Sequence, residues 1–400
     1  MNTLRRLRNF WIPWVTTIAL ACSSAAVAQT RYKVTDLGRE EGENAACAMS
    51  VNDEGWTEIM AWNGEPGENI NSIFPAVSGR ALIDADGFKL DLGGLGGKNT
   101  WMNWGEINDF GQIVGMSETA VPDPNGEDIC GFGTKLTCKP FLWQEFHMSA
   151  LPTLGGNNGQ ASAINNRGQI VGMAEDGTVD STCAGTNNPN NRTELPVLWE
   201  NGRARALPTL FGDADGFALW INDHGHAVGY TGNCGAMGHA VSWENDTGKV
   251  KVLKDLGNGN GGLAYGNNNR GQIVGSVFVN PGGFPIRYGA LWEHDKLTIL
   301  KPQFGDIAAI ATGINNQGQV VGSAWDSNFN WSHAFIYQDG VMTDLNTLFP
   351  KETNLHLHAT MANKINDRGQ ISGMATVLSG PDTGKIHAFL ATPVNASVGR

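Results

Sequence analysis

The sequence predicts an all-β protein: a seven-bladed β-propeller with four strands per blade, in which the N-terminal strand completes the last blade and closes the ring. Three observations predict it. A turn motif, Ile-Asn-x-x-Gly-Gln-Ile-Val-Gly, recurs seven times, centred on Asn52, Asn108, Asn165, Asn222, Asn268, Asn315 and Asn366. Two further strand motifs follow it in a fixed order. The chain also begins with the one strand type that its final repeat lacks.

Each element has a physical reason. The glycines that close the turns, from Gly55 to Gly369, are spaced by 56, 57, 57, 46, 47 and 51 residues. Blades repeat at about 40–50 residues, so the longer intervals carry loop insertions. Asn bonds its own backbone two residues on, and Gly accepts the positive φ that closes the turn. A strand of small residues precedes the turn, as in Ala161-Ser162-Ala163-Ile164, and Gln169-Ile170-Val171-Gly172 returns from it. We assign the first to the crowded axis, as the inner strand. A third strand reads His387-Ala388-Phe389-Leu390 or Pro196-Val197-Leu198-Trp199. A fourth ends in Asp-Leu-Gly, with Leu37, Leu92, Leu151, Leu207, Leu256, Leu300 and Leu345 in one column. The final repeat stops after its third strand, while Tyr32 to Leu37 supplies a lone fourth one. Pairing the two would remove two open sheet edges. A solenoid or paired sandwiches built from the same strands is the alternative.

The three strand motifs resemble the HAF repeats, a family of extracellular bacterial repeat proteins named for the His-Ala-Phe strand. The resemblance covers about residues 32 to 393. It implies a secreted repeat protein and brings no catalytic residues.

The first 28 residues read as a signal peptide. Arg5, Arg6 and Arg8 precede a short apolar stretch, and Ala26-Val27-Ala28 offers a small-x-small cleavage site. A lipid anchor at Cys22 is the minor alternative, and no second apolar segment follows. One propeller domain over residues 29–400, secreted or periplasmic, is therefore expected. The formal net charge of -12 becomes more negative once those arginines leave. Such a chain, without a basic block, is a poor partner for nucleic acid.

Five cysteines remain after the leader. Cys130 and Cys138 share one loop and are expected to pair. Cys183 and Cys234 lie in corresponding loops of adjacent repeats and are expected to staple them. Cys47 is left over as a buried thiol. No Cys-x-x-Cys spacing suggests a metal.

Departures from the repeat point to function. Trp104 stands where the inner strand expects Ala. Glu106, Trp220 and Lys364 occupy the column just before the Ile position, where Ala163, Gly266 and Gly313 are small. With Trp101 they form the expected ligand site, an aromatic, mixed-charge mouth near the axis. It is placed on the face of the loops that lead from Asp-Leu-Gly into the inner strand. The bland alternative is that large residues fill an imperfect ring. His356 and His358 are weak metal candidates, one side of a strand apart but lacking a third ligand. His239, His333 and His387 recur with the repeat and read as structural.

No nucleophile motif, Walker loop or zinc signature occurs, so no catalytic residue and no cofactor is assigned. The resulting reading is a non-enzymatic binding or interaction module for a glycan, a peptide or an envelope protein. A carbohydrate-active enzyme, a polysaccharide lyase or hydrolase with Glu106 as acid or base beside Lys364 at the axis, stays open beside it.

Overall fold

The computed structural model describes residues 30–63, 78–102, 106–184, 191–234, 238–244, 248–257, 261–279 and 286–394. The leader, Cys22 and Trp104 lie outside the described residues.

The hairpin is the unit from which the fold grows. In the turn at Asn165, the side-chain oxygen accepts the N–H groups of Arg167 and Gln169, both at 3.0 Å. Gly168 N–H bonds the Asn165 carbonyl at 3.0 Å, with φ 74° at the glycine. An L side chain there would be strained. The same bonds recur at all seven Asn positions, from Asn52 (to Glu54 and Trp56) to Asn366 (to Arg368 and Gln370).

Around each hairpin the chain builds antiparallel sheets in sequence order. Residues 96–150, 159–206, 215–252, 262–300 and 308–344 each form a four-stranded sheet. The remaining strands form one longer path. Leu357–Ile365, Ile371–Val377 and Ile386–Val394 pair in order, and Arg31–Gly38 adds to the last of them antiparallel, with Tyr32 opposite Pro393 and Asp36 opposite Phe389. Ala45–Val51, Thr57–Asn63, Ser78–Ala85 and Phe88–Asp91 pair in order as well. A single parallel bridge, Ala45 to Ile386, joins these two groups into the eight-stranded path. The arrangement is propeller-like: four-stranded sheets packed face to face, with helix confined to short turns such as Lys351–Asn354.

Packing between sheets explains the repeated residues. Trp199, Trp243 and Trp292 of the third strands donate their indole N–H to Pro152, Pro208 and Lys254 carbonyls of the preceding sheet's exit, at 2.7–2.8 Å. The repeated histidines are anchors. His239, His333 and His387 bond Asp213, Asp306 and Asp36 at 2.9–3.0 Å. Each aspartate thereby ties a neighbouring segment to the third strand.

One column needs correction. Leu256 is exposed, and Leu253 takes the buried-side place, its N–H bonding the Ala240 carbonyl at 2.8 Å. Leu92 and Leu207 make the equivalent bonds to Ala81 and Pro196. The backbone register, not the Asp-Leu-Gly triplet, fixes which leucine packs.

Candidate functional site at the Asn turns

Two sets of hydrogen bonds link the seven turns. The side-chain amide of each repeated Asn donates to the carbonyl of the next, from Asn52 to Asn108 and onward, and Asn366 donates back to Asn52, at 2.8–3.2 Å. The residue after each Asn repeats the pattern from its backbone. Asp53, Asp109, Asn166, Asp223, Asn269, Asn316 and Asp367 each donate N–H to the side-chain oxygen of the next, and Asp367 returns to Asp53, at 2.7–3.0 Å. Four of those seven residues are carboxylates. Burial, with the charges of Asp109 and Asp367, raises the Asp53 carboxyl above its ordinary value against the Asp367 N–H that lowers it.

These turns surround a cavity of about 130 Å³. Its inner wall is the column before the Ile position, represented by Ser50, Glu106, Trp220, Gly266, Gly313 and Lys364. Local geometry aims this column. In six inner strands the register slips by one residue just before it, as between Ala161 and Ala163 or Ala362 and Lys364. Such a bulge re-aims the side chain that follows. The skipped residues serve the neighbouring sheet: Ser162, Thr312 and Asn363 bond the Ala218, Ala362 and Ala48 carbonyls at 2.6–2.9 Å.

Three of the residues expected to form the site meet here. The Lys364 ammonium lies 3.4 Å from the centre of the Trp220 ring and donates to the Thr312 carbonyl at 3.3 Å. Lys364 is 6% exposed, and burial draws its pKa down to about 7, against the charges of Glu106 and Glu58. Glu106 accepts the Ile164 N–H at 3.2 Å. Burial holds its carboxyl well above the usual range, with Lys364 and that N–H pulling the other way.

Glu58 was missed in the sequence. It is fully buried, neither carboxylate oxygen has a hydrogen-bond partner, and burial raises its pKa strongly against the Lys364 charge. It sits across from Ser50 of the cavity wall. The signal was available in the second strands: Glu58 stands in the column of Val114, Val171, Val228, Val274 and Val321.

The other expected residues are elsewhere. Trp101 is fully buried and packs edge-on against Trp62 and Phe132, so it belongs to the core and offers no surface to a ligand. The cavity lies at the Asn-turn end, not at the face of the loops entering the inner strands. His356 and His358 diverge: the first faces Asp36 at 3.3 Å, while the second bonds the Ser332 carbonyl at 2.7 Å and meets the His333 ring edge-on. They do not converge on a metal. Cys130–Cys138 and Cys183–Cys234 are disulfides, as expected, and Cys47 is a buried thiol, pushed up to about 12 by burial. Asp180 lies close to the second pair, but sulfurs in a disulfide offer no thiolate to a metal.

No family model matches the chain, and neither does any curated protein. Solved structures similar to it include YCF48 bound to D1 peptide, with 11% identity, a TM-score of 0.49 and coverage of 94% of this chain and 99% of that one. An oligogalacturonate lyase from Vibrio parahaemolyticus has 10% identity and a TM-score of 0.49, over 94% and 96% of the two chains. A gluconolactonase from Xanthomonas campestris has 9% identity and a TM-score of 0.41, over 92% and 93%. At such identities no site residue is carried over from them.

Proposed function

We propose that the chain is a secreted or periplasmic seven-bladed propeller of HAF-type repeats, spanning residues 29–400 and closed by its own first strand. It acts as a binding module whose ligand sits in the cavity between Lys364, Glu106 and Trp220. The cycle of seven Asn turns and the pairing of Arg31–Gly38 with Ile386–Val394 support the blade count and the closure. Two disulfides fit an oxidising compartment. Among the described residues no helix is long and apolar enough to cross a membrane.

The observation that carries the site is the meeting of three bulky departures from one small-residue column, around a cavity of about 130 Å³. Packing alone does not call for two ionisable groups there. A cavity near 150 Å³ holds a molecule of about benzene size. The site therefore takes a small molecule or the end group of a glycan or peptide, not a run of sugar rings. The enzyme reading gains from one observation, the convergence of Lys364, Glu106 and Glu58 with displaced pKa values.

The test is a glycan and peptide array probed with the mature chain, followed by calorimetry of any hit against Lys364→Met and Glu106→Gln. Each variant should weaken binding by about tenfold or more, the loss expected when a buried charged contact is removed. A hit bound equally well by both variants places the ligand elsewhere.

A further inference from the structure

Lys364 is a buried amine whose surroundings suit it to chemistry rather than to an ion pair. No salt bridge to it occurs among the described residues, and its ammonium donates a hydrogen bond to the Thr312 carbonyl at 3.3 Å. On one side the ammonium meets the Trp220 ring. A Cβ on Gly313 would come within 3.1 Å of the Lys364 Cα, so the neighbouring repeat is small where Lys364 passes it. An amine desolvated in this way favours its neutral, nucleophilic form. Beside it lies empty space of about 130 Å³. Two carboxyl groups are near enough to feel its charge, Glu106 in the cavity wall and Glu58 behind Ser50.

We infer that Lys364 captures a small, neutral aldehyde or ketone as a reversible imine. This rests on the axial reading above and adds a covalent step to it. The nitrogen lone pair attacks the carbonyl carbon, and the C=O π pair moves to oxygen, which takes a proton from the Glu106 carboxyl. The nitrogen returns a proton to Glu106. Glu106 then protonates the carbinolamine hydroxyl, the nitrogen lone pair forms the C=N bond as the C–O bond breaks and water leaves, and the iminium N–H proton returns to the Glu106 carboxylate. No oxidant or reductant is consumed.

The cavity mouth selects the class. Asp53, Asp109, Asp223 and Asp367 line it, and their field opposes an anionic carbonyl compound. A polar aldehyde of a few heavy atoms fits the volume.

The experiment exposes the folded protein at pH 7 to glycolaldehyde with cyanoborohydride, which reduces any imine to a stable amine, and maps the adducts by mass spectrometry. Exposed Lys33 and Lys296 serve as internal standards. An ordinary lysine is only about 0.04% neutral at pH 7, so Lys364 should be labelled at least about tenfold faster than either. Glyoxylate, the anionic counterpart, should lose that preference, and so should protein unfolded in guanidinium. Glu106→Gln should slow labelling of Lys364 while leaving Lys33 and Lys296 unchanged. Labelling of Lys364 no faster than the standards, or a preference that survives unfolding, overturns the proposal. Tryptophan fluorescence separates the two claims. A saturable change with glycolaldehyde but no adduct removes only the covalent step, whereas neither signal counts against axial capture of this aldehyde altogether.

Discussion

Glu58 shows what a single residue can reveal. A carboxyl with no exposure and no hydrogen-bond partner costs stability that a valine in the same column does not. Glu58→Val should therefore stabilise the protein, by about 1–3 kcal/mol, in denaturant titrations. The gain should depend on pH with a definite sign. The Glu58 carboxyl is raised well above 4.5 in the folded state. The folded protein therefore holds a proton that the unfolded chain releases, and this costs stability as pH rises above about 4.5. The valine variant lacks that loss, so its advantage should grow from about pH 4.5 upward. An advantage that shrinks with pH, or a destabilised variant, would show Glu58 ionised and paired in the fold. Glu106, Trp220 and Lys364 were legible as departures because a repeat supplies its own standard. Glu58 was not legible in that column because it lies on the second strand, opposite Ser50, outside the inner strands. Trp101 misled for the opposite reason: a large aromatic on a strand beside the inner column can turn outward into the core between sheets, and nothing local distinguishes the two.

At the level of elements, the hairpins and their order were legible because their determinants are local. Asn at the first position and Gly three residues later specify the turn wherever they stand. The bulges were not legible, since a register slip depends on what the partner strand presents. The Leu253 placement has the same origin. The end of the cavity could have been read: Glu106 is two residues from Asn108, so its column belongs to the Asn-turn end of the strand. The disulfides follow from loop placement, and they should differ in strength. Cys130–Cys138 closes 8 residues and Cys183–Cys234 closes 51. The entropy of the unfolded chain makes the first worth about 2.5 kcal/mol and the second about 4 kcal/mol. Paired Cys→Ala variants in denaturant titrations should rank in that order. Equal losses would mean that local contacts, not the size of the loop closed, set the contribution.

For the whole molecule, the first strand pairs with the last one, so the two ends of the described chain meet in one sheet. Tyr32 is buried, and the N-terminal strand pairs with Ile386–Val394 along most of its length. The two sets of Asn-turn bonds pass from repeat to repeat and return through Asn366 and Asp367 to Asn52 and Asp53. Lys364 lies on Leu357–Ile365, the strand leading into that last turn. Sequence matching of the two chain ends predicted the pairing, but nothing in one repeat indicated that the asparagine amides would bridge to the next. The most direct measurement removes residues 31–38 from the mature chain and follows thermal unfolding by circular dichroism. The truncated chain should lose its cooperative transition or aggregate, and supplying the Arg31–Gly38 peptide should partly restore it. A truncated chain that melts cooperatively at the wild-type temperature would contradict closure by the first strand.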